Sequence, residues 1–138
     1  MTPVLVDSNI LLDIATEDPD WGTSSGEALA RLGNDAPLVI NAVIYAEVSI
    51  RYETIEEVES ALSVSRFVRE ALPFEAAFLA GKAHVRYRRR GGIRVSPLPD
   101  FFIGAHAAVA GYRLLTRDAT RYRTYFPSVE LISPRGSR

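Results

Sequence analysis

Short apolar runs alternate along this chain with segments whose apolar residues recur every three or four positions. Val4-Leu5-Val6 is the first run. Ile10, Leu11 and Ile14 then recur at helical spacing over Asn9 to Ala15. After the turn-rich stretch EDPDWGTSSGEA, Ser24 or Ser25 is placed to cap a helix through Leu29 and Leu32. Leu38 to Ile40 reads as a second strand, followed after Asn41 by a helix from Val43 to Tyr52. Thr54 with Glu57 three residues on has the form of a capping box for a helix from Ile55 to about Val64. RFVREALP fits a short strand or a turn.

Phe74 to Arg90 reads as a long helix with Phe74, Ala77, Phe78, Gly81 and Val85 on one stripe, stopped by Gly91-Gly92. VSPLP is expected to be extended because of its two prolines. Asp100 then opens a helix to about Ala110, ended by Gly111; YRLLT is a strand, Asp118 opens a helical turn toward Tyr125, and SVELIS is the last strand. Strands alternating with helices imply an α/β fold with a parallel sheet covered by helices. No repeat, low-complexity segment or linker interrupts the series. Residues 1–133 therefore read as a single domain and 134–138, PRGSR, as a C-terminal tail.

Composition narrows the chemistry. The chain has 138 residues, 47% of them hydrophobic, enough for one core. It contains no cysteine, which excludes disulfides, thiolate metal sites and a cysteine nucleophile. MTPVLVDSN lacks the basic start of a signal peptide, and no apolar run reaches the ~20 residues of a membrane span, so a cytoplasmic protein with no membrane partner is expected. Net charge is −1, but every basic residue except Lys82 is arginine, and VRYRRRGGIRV gathers Arg86, Arg88, Arg89, Arg90 and Arg94. Such a cluster suits phosphate, and equally a solvated helix end.

The acids carry the sharper signal. Asp7 follows the first strand and Asp118 the YRLLT strand, which puts both at carboxyl strand ends, where sites form in parallel sheets. Asp100 follows PLP, and Glu47 lies in the helix after the second strand, with Val43, Ile44 and Ile50 as neighbours one turn away. Each has an ordinary explanation: Asp7, Asp100 and Asp118 as helix caps, Glu47 as the partner of Arg51. Together those explanations weaken. Two carboxylates ~4 Å apart at an effective dielectric near 20 repel by about 4 kcal/mol, which a divalent cation would turn into attraction. Oxygen ligands suit Mg²⁺ or Mn²⁺ and argue against zinc. His84 and His106 do not join the set, and no serine–histidine spacing supports a hydrolase triad.

With VDSNILLD, NAVIYAEV, PLPDFFIGAHAAVAGYRLLTRD and RYRTYFPSVELI in this order, the chain resembles the PIN-domain family, and within it the VapC-type toxins of bacterial toxin–antitoxin systems. The resemblance covers essentially the whole chain. It implies a PIN-like (Rossmann-like) α/β/α sandwich with a central parallel sheet and a metal-dependent endoribonuclease. It places the catalytic and metal-binding acids at Asp7, Glu47, Asp100 and Asp118, with Asn9 and Thr116 orienting carboxylates or water behind them. Mg²⁺ is the implied cofactor, with Mn²⁺ as substitute. The implied partners are an RNA substrate and a cognate antitoxin that wraps the toxin, along a groove between the helix after Asn41 and the one after Thr54. A homodimer and a higher assembly with the antitoxin are also implied. Arg86, Arg88, Arg89, Arg90, Arg117 and Arg121, with Arg123 following, are the candidate RNA phosphate contacts. The alternative is a PIN-like module that binds RNA or protein without cutting. A phosphoacceptor regulatory domain would want a late-strand lysine, and a haloacid-dehalogenase-like phosphatase would want Asp at the position of Asn9.

Overall fold

The computed structural model describes residues 1–92 and 97–135. Among them are five strands and seven helices: β1 (Val4–Val6), α1 (Ser8–Ala15), α2 (Gly22–Asp35), β2 (Leu38–Ile40), α3 (Ala42–Ser49), α4 (Ile55–Ala61), β3 (Phe67–Arg69), α5 (Phe74–Arg89), α6 (Leu98–Ala110), β4 (Arg113–Leu115), α7 (Ala119–Tyr125) and β5 (Leu131–Ile132). The strands form one all-parallel sheet in the order β3-β2-β1-β4-β5. The architecture is an α/β/α sandwich. β1 lies at the centre; the chain builds outward through β2 and β3, then crosses to β4 on the other side. The reversal falls between β1 and β4, where a parallel sheet opens a crevice at its carboxyl end.

The inner strands are apolar without alternation because both faces are covered. Val4, Leu5, Val6, Leu114 and Leu115 are fully buried, each larger side chain contributing roughly 1.5–3 kcal/mol. Register sets the site: Val6 pairs with Leu115, so Asp7 and Thr116 leave the sheet side by side.

Several expectations need correction. α2 starts at Gly22 after Trp21, so neither Ser24 nor Ser25 caps it; the Ser25 hydroxyl instead donates to Asp13 (3.0 Å). α6 begins at Leu98, so PLP is not an extended lead-in and Asp100 lies inside the first turn. Proline is tolerated there because the first helical N–H groups need no intrahelical acceptor. The α5 stripe is misregistered. Phe74 and Phe78 are 91% and 63% exposed, whereas Ala76, Ala80 and Ala83 are buried where α5 packs along α6. Ile50 is also exposed, and α3 ends at Ser49 rather than Tyr52. RFVREALP resolves into strand β3. The capping box is present: Glu57 N–H donates to Thr54 Oγ1 (3.2 Å) and Thr54 N–H to Glu57 Oε1 (3.0 Å). Arg94, and the Val95-Ser96 part of VSPLP, lie outside the described residues.

Two glycines do conformational work at α6, one at its far end and one facing α7. Gly111 ends α6 in the left-handed region (φ 72°). A Cβ on Gly104 would fall 2.4 Å from Phe126 and 2.9 Å from Tyr122, so the bare backbone there lets α7 lie against α6 and brings Tyr122 within reach of Asp7.

Candidate active site

Asp7 is buried at the end of β1, its main-chain N–H donating to the Leu115 carbonyl (3.0 Å). It stands at the N-cap of α1 but makes no side-chain capping bond. Its Oδ2 accepts from Thr116 Oγ1 (2.8 Å) and from the Tyr122 hydroxyl (2.9 Å). Burial pushes the Asp7 carboxyl up to about 6; the Thr116 and Tyr122 hydrogen bonds oppose this, and the charges of Asp100 and Glu47 add to it. The Tyr122 hydroxyl is raised well above its ordinary value, first by burial and then by the negative charge of Asp7 and its neighbours.

Glu47 reaches the same place from α3. The Ser8 hydroxyl donates to its Oε1 at 2.7 Å, and no ion pair with Arg51 forms among the described residues. Burial raises the Glu47 pKa, the Ser8 bond opposes the rise, and Asp100 adds to it. α3 is held by Asn41, whose Oδ1 caps the Ile44 N–H (3.0 Å). That fixes the amide, so the Asn41 NH₂ donates to Nδ1 of buried His106 (2.9 Å). His106 is then the neutral tautomer with its proton on Nε2, facing Glu70 at 3.7 Å. Burial lowers its pKa accordingly.

Asp100 enters from α6. Arg121 Nη1 lies 2.7 Å from its Oδ2. The first turn of α6 is fixed by Phe101, whose ring packs against Tyr87, Tyr125 and Phe126 at centroid distances of 5.9, 5.0 and 6.3 Å. Tyr87 also lies under the Arg121 guanidinium. This brings the end of α5 beside Asp100, with Arg86 and Arg90 over the Tyr125 ring and Arg88 and Arg89 exposed. Arg86, Arg88 and Arg89 also complement the α5 dipole.

Thus Asp7 feels the charges of Asp100 and Glu47, and Glu47 feels that of Asp100. Asp118 is exposed at the rim; it occupies the N-cap of α7 without capping it by side chain, and its N–H donates to Thr116 Oγ1 (3.0 Å). Asn9 Nδ2 lies 3.4 Å from Thr116 Oγ1, and its Oδ1 accepts from the Arg117 N–H (3.5 Å). The Arg117 guanidinium is committed to buried Asp13 (2.9 Å) and stacks on Trp21. Arg123 is exposed.

Ser8, Asp13 and Tyr122 escaped the sequence analysis. Tyr122 had a signal: it lies one helical turn after Asp118, but an aromatic at that spacing reads as core. Ser8 had only its place beside Asp7. Replacing Ser8 by alanine should lower any acid-dependent turnover about tenfold, typical of groups that orient a reactive carboxylate. It should also move the acid limb of the pH–rate profile upward, because the lost hydrogen bond stabilises charged Glu47. An unmoved limb would mean that Ser8 does not act through Glu47.

Carboxylates at the switch point of a parallel sheet define a class of acid-centred α/β domains. A family model described as PIN domain matches residues 4–127, and the chain belongs to the PIN-domain family. A comparison with curated proteins finds no match. Among solved structures the chain is similar to VapBC2 from Rickettsia felis bound to a DNA fragment from its promoter (20% identity, TM-score 0.71, covering 95% of this chain and 98% of that one). It is also similar to a toxin–antitoxin complex from Klebsiella pneumoniae (20%, 0.68, 95% and 97%). A third is Mycobacterium tuberculosis VapC20, a Sarcin-Ricin loop cleaving toxin (14%, 0.61, 92% and 98%). At these identities the likeness is one of fold.

Proposed function

We propose that this chain is a metal-dependent endoribonuclease of the VapC type, the toxin of a toxin–antitoxin pair. The observation that carries the reading is the convergence of Asp7, Glu47 and Asp100 from three separate parts of the fold: the Ser8 hydroxyl lies 3.4 Å from Asp7 and 2.7 Å from Glu47, and the charge of Asp100 acts on both. Arg121 meets Asp100, but Asp7 and Glu47 have no basic partner among the described residues, and a divalent cation would offset their charge.

The donor set fits Mg²⁺ or Mn²⁺ chemically, since all the donors are hard oxygens. Among the described residues no group of three acids or histidines is a ready-made metal cage, so the carboxylates would close on the ion as it binds. Asp7 and Asp100 would hold it, with Asp118 completing the shell from the rim. When bound, such an ion eases ionisation of water and stabilises negative charge on a phosphoryl oxygen.

The chain's own residues supply the rest. Thr116 and Tyr122 lock Asp7 through one oxygen. Asn9 steadies Thr116. Ser8 aims Glu47, whose raised pKa makes it a better base toward attacking water. Arg121 beside Asp100, and Arg86, Arg88, Arg89 and Arg90 at the end of α5, would contact RNA phosphates; such contacts position a strand without reading its bases. Arg117, tied to Asp13, positions the loop carrying Thr116 and Asp118.

The antitoxin partner follows from the same reading. A groove of about 260 Å³ between α3 and α4 is lined by Tyr45, Ser49, Tyr52, Ile55 and Val58, and it suits an apolar segment of the antitoxin. Among the described residues no helix is long and apolar enough to cross a membrane.

The purified chain should cleave RNA, chelation should stop it, and added Mg²⁺ or Mn²⁺ should restore it, with the new 5′ ends mapped by sequencing. Chelator-insensitive binding without cleavage would instead establish a non-catalytic RNA- or protein-binding module.

A further inference from the structure

Arg121 sits where a cation is least expected. It lies in the first turn of α7 (Ala119–Tyr125), where the helix dipole disfavours positive charge. Its side chain is only 13% exposed, so the guanidinium has given up most of its water. What it receives in return is Asp100, at 2.7 Å. Asp100 in turn is one of the two charges that press on Asp7 and the one that presses on Glu47. Among the described residues Arg121 is therefore a cation set against this carboxylate cluster. A guanidinium is permanently charged and its planar fork matches phosphate as well as carboxylate. Its second supporting contact, the Tyr87 ring with centroid 6.0 Å away, is a flat surface on which it could turn.

We infer that Arg121 is a resident counter-ion of the acid cluster: it holds Asp100 in the metal-free protein and passes to a substrate phosphate once a divalent cation takes over the charge. The inference rests on the nuclease reading above. An ordinary structural ion pair and an exchanging one make opposite predictions. If Arg121 only braces Asp100, removing it disorders a ligand and weakens metal binding. If it competes for the charge of Asp100, removing it deepens the negative potential and tightens metal binding, while the phosphate loses its cation.

The test measures Mn²⁺ affinity by calorimetry in the absence of RNA, and turnover at saturating Mn²⁺, for the wild-type chain, Arg121→Gln and Arg121→Met. Methionine removes the charge without leaving a polar group to be satisfied, which guards against a glutamine variant that folds poorly. Both variants should bind Mn²⁺ about tenfold more tightly, equivalent to about 1.4 kcal/mol, and turn over at least about tenfold more slowly. Arg121→Lys, keeping charge without the fork, should bind Mn²⁺ like wild type and cut at an intermediate rate. Unchanged or weaker Mn²⁺ binding in both charge-removing variants, with wild type binding and cutting normally, overturns the exchange and leaves the nuclease reading intact. A wild-type chain that neither takes up Mn²⁺ nor cuts RNA removes the nuclease reading and the exchange with it.

Discussion

Asp7→Asn is expected to abolish cleavage and, at the same time, to make the metal-free protein more stable at neutral pH. The first effect follows from the proposed ligand role: an amide neither balances a divalent charge nor binds it comparably, and a loss of about 10²–10³-fold in rate is typical when a charge-stabilising group is removed. The second follows from burial. The Asp7 carboxyl has its pKa raised from 3.8 to about 6. An acid whose folded pKa lies above its unfolded one binds more protons when folded. Stability therefore falls as pH rises from about 3.8 to about 6 and stays lower above that. The gap is worth on the order of 3 kcal/mol. Asparagine is neutral throughout and still offers Thr116 and Tyr122 a carbonyl acceptor. Its Tm, measured with chelator at pH 7, should exceed wild type by several degrees, and the advantage should shrink as pH falls toward 4. A lower Tm than wild type at pH 7 would mean that Asp7 is not a strained charge.

Asp100→Asn should be equally inactive but move stability the other way. Asp100 carries Arg121, and both side chains are largely withdrawn from solvent. Breaking a fully buried pair costs about 3–5 kcal/mol and an exposed one about 0–1. With an amide oxygen still able to accept one hydrogen bond from Arg121, a loss of about 1–2 kcal/mol is expected, and a Tm lower by a few degrees. Two isosteric changes, alike in activity and opposite in thermal shift, would separate an acid held at a cost from one held by a partner. Measurable cleavage by Asp100→Asn would remove it from the ligand set.

The alternation of short apolar runs with helical periodicity was enough to place four of the five strands and the order α/β, because both are local signals, while β3 stayed open between strand and turn. Asp7 was legible for the same reason, since it terminates an apolar run, whereas Thr116 came only with the family resemblance. What could not be read was set by contacts between distant segments. Ser25 looked like a cap, but its hydroxyl is spent on Asp13. The bulky residues of α5 looked like a core stripe, yet close packing on α6 selects the alanines and turns Phe74 and Phe78 outward. Two prolines argued against a helix that in fact uses one of them in its first turn. The Tyr122–Asp7, Ser8–Glu47 and Arg121–Asp100 ties join residues far apart in sequence or on different faces, and no periodicity encodes them.

Trp21 is the chain's single tryptophan, and it lies under two guanidinium groups, those of Arg117 and Arg135, at 5.5 and 3.8 Å from the ring centroid. Arg135 also donates to the Asp20 carbonyl, so the indole is clamped between the loop that carries Thr116 and the end of the chain. Cationic neighbours alter indole emission, which gives the molecule an intrinsic optical gauge of that loop. Any event that draws Arg117 off Asp13 would register as a change in fluorescence without a label.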